Sequence, residues 1–175
     1  MSPSAEAPLL ITAEADPESF ARVDGLRRRY FPPERNLIPA HVSLFHHLPP
    51  REHASVEAAL EAVAGRAAPT LHFGRLRRLG GGMAVDVDAP GLGAVHRELS
   101  RAFAQWLTPQ DRQPFRPHVT LMNKAPPRDA TAAFAELSAG WASFDGHAPA
   151  LLLWRYLGGP WELVRRVPFT PGRAG

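Results

Sequence analysis

Apolar residues recur along the chain at two spacings, which predicts short strands separated by amphipathic helices. The run Leu9–Ala13 is apolar enough for a buried strand. Asp16-Pro17 then predicts a helix start, with Asp as N-cap and Pro in the first turn. A stripe at helical spacing follows from Phe20 to Tyr30. Pro32-Pro33 ends that helix, because proline cannot continue it.

The rest of the chain alternates in the same way. Gly-Gly turn signals at 80–82 and 158–160 each separate two strand-like runs and predict hairpins. The further predicted elements are strands after Pro39, at 70–79, 83–87, after Pro117, at 150–157 and 161–169, and helices after Pro50, at 91–106 and after Pro127.

The element order repeats: each half runs helix, histidine strand, helix, strand, Gly-Gly turn, strand. This self-similarity predicts an α+β fold that is duplicated and bilobal, with two antiparallel or mixed sheets, outer helices and a central cleft. We expect residues 1–175 to form one bilobal domain. One lobe would lie around 36–90 and the other around 112–170. The terminal strand 8–14 and the connecting helices 17–30 and 91–106 would pack outside them.

A short tetrad occurs once in each half and carries the candidate chemistry. His41-Val42-Ser43-Leu44 follows Pro39, and His118-Val119-Thr120-Leu121 follows Pro117. On a strand, neighbouring side chains point to opposite faces. Each tetrad therefore puts an imidazole and a hydroxyl on one face and two apolar residues on the core side.

Two histidines in one cleft can divide acid and base work near neutral pH. The hydroxyls of Ser43 and Thr120 could donate to the non-bridging oxygens of a phosphate. This set predicts chemistry on a phosphodiester with a neighbouring hydroxyl, such as an RNA end or a 2′,3′-cyclic phosphate. We expect His41 and His118 to be catalytic, with no cofactor.

Three further side chains are candidate substrate contacts. Arg116 and Lys124 share the strand parity of His118, and a salt bridge or a solvated position is an equal alternative for each. Tyr156 shares a face with Trp154 and could stack on a base, although packing in the core explains both aromatics as well.

The remaining histidines lack this context. By alternation, His47 shares the face of His41, whereas its neighbour His46 does not. Two adjacent residues on a regular strand cannot face one site, and a zinc site needs three or four ligands. We therefore expect no metal.

Composition adds a few limits. The 175 residues carry a formal net charge of +3 and no cysteine, so disulfides and thiolate metal sites are excluded. Nearly all cations are arginine, which suits anionic substrates but also fits codon bias. No apolar run could span a bilayer, and Met1–Glu6 lacks the features of a signal peptide. We expect a cytoplasmic protein, a monomer, that does not bind membranes.

The spaced pair of tetrads resembles the 2H phosphoesterase superfamily, and more narrowly its bacterial 2′-5′ RNA ligase-like branch. The flanks Arg116-Pro117, Asn123-Lys124 and Gly159-Pro160-Trp161 also look familiar. The resemblance implies a bilobal fold with both motifs in a central cleft. It also implies metal-free hydrolysis of 2′,3′-cyclic phosphates, or reversible 2′-5′ RNA ligation, with RNA ends or cyclic nucleotides as substrates. It leaves open which histidine is the acid.

The competing interpretation is a non-catalytic RNA- or nucleotide-binding module that retains the cleft. The intact motif pair favours the enzyme.

Overall fold

The structure is a computed structural model that describes residues 3–171, so residues 1, 2 and 172–175 of the predicted domain lie outside the described residues. Within the described range the chain forms eight strands and four α-helices. In chain order these are β1 (Leu9–Ala13), α1 (Pro17–Tyr30), β2 (Val42–Leu48), α2 (His53–Val63), β3 (Thr70–Leu79), β4 (Gly82–Asp88), α3 (Pro90–Ala102), β5 (His118–Met122), α4 (Pro127–Ala139), β6 (Phe144–His147), β7 (Ala150–Tyr156) and β8 (Trp161–Pro168).

The strands form two four-stranded antiparallel sheets, which confirms the predicted α+β class. The first sheet has the order β2-β1-β7-β8, and the second has the order β5-β4-β3-β6. Both predicted hairpins are present, as β3–β4 and β7–β8.

The predicted division of the strands between the lobes is wrong. The range 36–90 contributes β2 to the first sheet but the hairpin β3–β4 to the second. The range 112–170 likewise contributes β5 to the second sheet and β7–β8 to the first. The strand predicted to lie outside the lobes, β1, is an interior strand with all five residues buried. Each histidine strand therefore shares a sheet with the hairpin that follows the other histidine strand.

The helices cover the sheets largely as the pattern predicts. The side chain of Asp16 accepts a hydrogen bond from the backbone N–H of Ser19, so it is the predicted N-cap of α1. This helix packs on β5 and β6, α4 packs on β4, and α2 packs against α3. None of the described helices combines the length and apolarity needed to cross a membrane.

Two local predictions differ from the structure. The third helix was expected to reach Trp106 but ends at Ala102, and Trp106 instead stacks on Phe103 beyond it. The short strand β6, with the sequence Phe-Asp-Gly-His, was not predicted, because only its first residue is a strand former and nothing in it alternates.

Both histidine strands are edge strands. In the first sheet β2 pairs only with β1, and in the second sheet β5 pairs only with β4. These two edges approach each other at the middle of the molecule. Pro39 and Pro117 precede them, in agreement with the confinement of proline to sheet edges and strand starts. The topology thus brings the two tetrads side by side.

A close backbone approach holds β5 beside the β3–β4 hairpin. A Cβ atom at Gly82 would lie 1.7 Å from the backbone carbonyl oxygen of Met122. Backbone atoms cannot move away as a flexible side chain can, so only glycine fits at this position. Gly80, in the same turn, has nothing within 4 Å of an added Cβ.

We expect Gly82→Ala to lower the free energy of unfolding by about 2 kcal/mol or more, because the added methyl group overpacks the β4–β5 contact. Gly80→Ala is the matched control and should change it by less than about 0.5 kcal/mol. Urea denaturation measures both. Equal effects of the two substitutions would contradict this account of the turn.

Candidate active site

The two motif histidines are anchored in the same way. The Nδ1 atom of His41 lies 2.8 Å from the carbonyl oxygen of Pro39, and Nδ1 of His118 lies 2.8 Å from that of Arg116. A carbonyl can only accept, so Nδ1 carries the proton in both rings. This fixes the tautomer and leaves Nε2 as the nitrogen free to exchange a proton in each ring.

One polar cavity of about 430 Å³ contains both tetrads. It is lined by His41, Ser43, His118 and Thr120, so the structure brings together the four residues predicted as catalytic or phosphate-binding. Neither hydroxyl donates a hydrogen bond to another group within residues 3–171. Both are therefore available to a ligand in this cavity.

The three candidate substrate contacts separate in the structure. Arg116 lines the polar cavity, and among the described residues its guanidinium takes part in no ion pair. Lys124 lies beyond the end of β5 with a φ of 57°, so strand parity no longer applies to it. Tyr156 is exposed and lines neither this cavity nor the apolar one next to it. Geometry therefore favours only Arg116.

The prediction from alternation that His47 shares the face of His41 is wrong. Along the β1–β2 ladder Thr12 is opposite Ser43, whereas Ile11 is opposite Phe45, so β2 contains a bulge. A second irregularity follows before Leu48. These extra residues reset the parity, and His46 rather than His47 lines the polar cavity.

Asp111, from the loop between α3 and β5, holds His46. Its side chain is fully buried. Its carboxylate accepts the backbone N–H groups of His46 and His47 at 2.9–3.1 Å, and Oδ1 lies 2.9 Å from Nδ1 of His46. Burial raises the pKa of Asp111, but these hydrogen bonds outweigh it and hold the pKa below its usual value. Within residues 3–171 no three His, Cys, Asp or Glu side chains are grouped so that they could hold a metal ion.

Arg27 connects β5, which carries the second tetrad, to the loop that precedes β2 and the first tetrad. The sequence favours a solvated helix end for Arg27-Arg28-Arg29, but Arg27 is buried. Its Nη1 donates to the carbonyl oxygen of Thr120 at 2.8 Å, and its Nε donates at 2.8 Å to Oδ1 of Asn36, which lies in the loop before β2. Burial lowers the pKa of the guanidinium to about 10, so it stays charged at neutral pH. Arg27 lies four residues after Val23, on the buried face of α1. This helical spacing is the feature of the sequence that could have predicted the burial of Arg27.

A second cavity, of about 520 Å³, adjoins His41. Apolar side chains dominate its wall, among them Phe20, Val23, Leu152, Trp154 and Trp161. Trp161 and His41 line both cavities, and their ring centroids are 4.7 Å apart. The site is thus polar on one side of His41 and apolar on the other.

This environment changes the protonation of His41. Burial lowers the pKa of His41 to about 4, opposed by the hydrogen bond to Pro39 and reinforced by Arg27 and the neighbouring imidazoles. His41 is therefore neutral at pH 7, with a free lone pair on Nε2.

Comparison with known proteins agrees with this arrangement. A model of the 2′-5′ RNA ligase superfamily matches residues 15–160, which include both tetrads. The chain belongs to this superfamily. The match confirms the resemblance to the 2H phosphoesterases and, with it, the general class of a phosphoesterase. No curated protein matches the chain.

Solved structures support the fold. Escherichia coli LigT, crystallised with 3′-AMP, is 20% identical, with a TM-score of 0.59 over 94% of this chain and 99% of LigT. TT0787 of Thermus thermophilus is also 20% identical, with a TM-score of 0.60 over 95% of this chain and 99% of its own. At this level of identity the similarity establishes a shared fold.

We expect His41 to titrate near pH 4 in an NMR pH titration of the ring signals, well below the ordinary histidine value of about 6.5. The unfolded chain takes up this proton at higher pH than the folded chain does. Stability should therefore fall as the pH drops from about 6.5 to 4. His41→Gln, which cannot titrate, should lack that part of the fall. A His41 titration near 6.5 would contradict the desolvation assigned to this ring.

Arg27→Lys should lower the free energy of unfolding by about 2 kcal/mol, because one ammonium group cannot reproduce both charge-assisted hydrogen bonds of the guanidinium. Arg28→Lys is the control, since Arg28 is exposed and, among the described residues, forms its one ion pair with Asp24 of the same helix. It should change stability by less than about 0.5 kcal/mol. Chemical denaturation tests both, and equal losses would mean that Arg27 does not link the motifs.

Proposed function

We propose that this protein is a metal-independent phosphodiesterase that opens 2′,3′-cyclic phosphates at RNA ends or in nucleotides by two-histidine acid–base catalysis. The observation that carries the proposal is the matched anchoring of His41 and His118, whose Nδ1 atoms are both fixed and which both line one cavity. Family membership supports the same chemistry.

In the proposed reaction one imidazole removes a proton from water while the water oxygen bonds to phosphorus. The other ring acts as an imidazolium: it gives its Nε2 proton to the ribose oxygen whose bond to phosphorus breaks, and a phosphomonoester results. Ser43 and Thr120 donate to the non-bridging oxygens, where negative charge accumulates. The two imidazoles provide both proton transfers, each worth about 10²–10⁴-fold in rate. If the hydroxyl of a second RNA replaces water, the same steps give ligation.

The different environments of the two histidines suggest which one is the base and which one is the acid. A base must be unprotonated before the reaction, and His41 meets this condition at neutral pH because its pKa is about 4. We therefore assign His41 as the base toward water and His118 as the acid.

The apolar cavity beside His41 suits the organic part of the substrate. Trp154 is fixed there by its Nε1–H, which donates to Oγ1 of Thr12 at 2.9 Å, and Trp161 lies between this cavity and the polar one. Fixed indole rings offer stacking surfaces for a nucleobase. LigT has been crystallised with 3′-AMP, ATP and NADP+, which supports a nucleotide as the kind of ligand that this protein binds.

The test is turnover of 2′,3′-cyclic nucleotides and short RNAs ending in a cyclic phosphate, with products identified by phosphorus NMR. His41→Ala and His118→Ala should each lower kcat/KM at least about 100-fold, because each removes one proton transfer. His47→Ala is the matched control, since His47 is an exposed histidine on the same strand that lines neither cavity. It should leave the rate unchanged.

Two outcomes would count against the enzyme. If the wild type and the His41→Ala/His118→Ala double variant behave alike on every substrate, a non-catalytic nucleotide-binding module becomes the better interpretation. If neither the wild type nor any variant shows turnover, and the wild type binds 3′-AMP whereas the double variant does not, the cleft binds nucleotides without reacting with them.

A further inference from the structure

Two histidines outside the tetrads also line the polar cavity: His96, which is buried, and His46, which is exposed. His46 lines the polar cavity together with His41 and His118. It arrives there because the bulge in β2 between Ser43 and Phe45 resets the alternation. Its side chain is about 41% exposed, so the ring is accessible from the cavity.

The buried carboxylate of Asp111 gives this ring a fixed orientation. Capping the free edge of β2 requires only the two backbone N–H groups of His46 and His47, which Asp111 accepts. Its further contact, at 2.9 Å, is with Nδ1 of the His46 ring. An imidazole held by a carboxylate at Nδ1 presents Nε2 in a defined direction, and the carboxylate stabilises the ring when it becomes an imidazolium.

The composition of the polar cavity is suited to an anion. Arg116 lines it, and among the described residues its guanidinium has no acidic partner. Gln110 and Gln113 add polar groups to the wall, and its one carboxylate, Asp111, is buried and already paired with His46. The cavity therefore offers positive and hydrogen-bonding groups that the proposed cleavage at His41 and His118 does not use.

We propose that His46 and Arg116 bind a second phosphate group of the substrate, next to the phosphate that reacts. The inference rests on the proposed function and names its substrate class: a nucleotide or RNA end that carries a phosphate in addition to the cyclic one. In the complex the His46 imidazolium donates through Nδ1–H to Asp111 and through Nε2–H to the second phosphate. Arg116 supplies a forked partner to the same oxygens.

The experiment compares adenosine 2′,3′-cyclic phosphate with its 5′-phosphorylated counterpart. The wild type should favour the second substrate in kcat/KM by at least about tenfold, the effect of one hydrogen bond between charged groups. His46→Asn should bring this ratio close to one. The asparagine amide lies as far from Cβ as Nδ1 does, so it can still donate to Asp111, whereas the group in the position of Nε2 is gone.

Two further variants make the result specific. His47→Asn makes the same substitution at the adjacent histidine, which lines neither cavity, and should retain the wild-type ratio. Arg116→Gln changes an exposed side chain that has no acidic partner among residues 3–171, and it should also lower the ratio. A His46→Asn variant that keeps the wild-type ratio, or a wild type without preference, would overturn the inference.

A binding measurement separates this inference from the proposed function. Calorimetric titration with adenosine 3′,5′-bisphosphate and with 3′-AMP requires no turnover. If the wild type turns neither cyclic substrate over but binds the bisphosphate at least about tenfold more tightly, and His46→Asn loses that difference, the second-phosphate site stands and the proposed reaction fails. If turnover is present but neither measurement shows a preference, the second-phosphate site fails alone.

Discussion

Two sheet edges meet at the centre of this molecule, and the backbone groups that they leave unpaired must find partners outside either sheet. Buried polar groups without partners are costly. Two buried charges meet this need: Arg27 donates to the carbonyl oxygen of Thr120 on β5, and Asp111 accepts the N–H groups of His46 and His47 on β2. Because no further strand within residues 3–171 covers either edge, the side chains of both edges remain open to a common cavity.

The two sequence repeats exchange their hairpins in the folded structure. Each histidine strand shares its sheet with the hairpin that follows the other histidine strand, and β1 lies between β2 and β7. This exchange links the two halves through backbone hydrogen bonds in both sheets. The distance between the tetrads is therefore set by the cores of both sheets together, and neither four-stranded sheet is built from one half of the sequence alone.

The sequence was sufficient to predict local structure and side-chain placement where the fold is regular, and insufficient where it is irregular. Strand alternation placed His118 and Thr120 correctly because β5 has no irregularity between them, and the cap at Asp16 followed from local chemistry. Alternation failed after Ser43, because a bulge has no simple signature in a run such as Leu-Phe-His-His. Asp111 lies in a loop, where no periodicity points to a partner across the fold. The exchange of hairpins could not be seen because sequence order does not reveal which sheet a hairpin joins.

The anchoring of the two histidines is symmetric, but their surroundings are not. In both rings the Nδ1–H group donates a hydrogen bond to the carbonyl oxygen of the residue two positions earlier in the chain. Only His41 has Trp161 against its ring and an apolar cavity on its other side, and burial there lowers its pKa and favours its neutral form. A symmetric pair in equal surroundings would have no preferred direction for proton transfer. In the proposed reaction the desolvation of one partner would supply that direction, so the asymmetry would come from the walls of the cleft and not from the tetrads themselves.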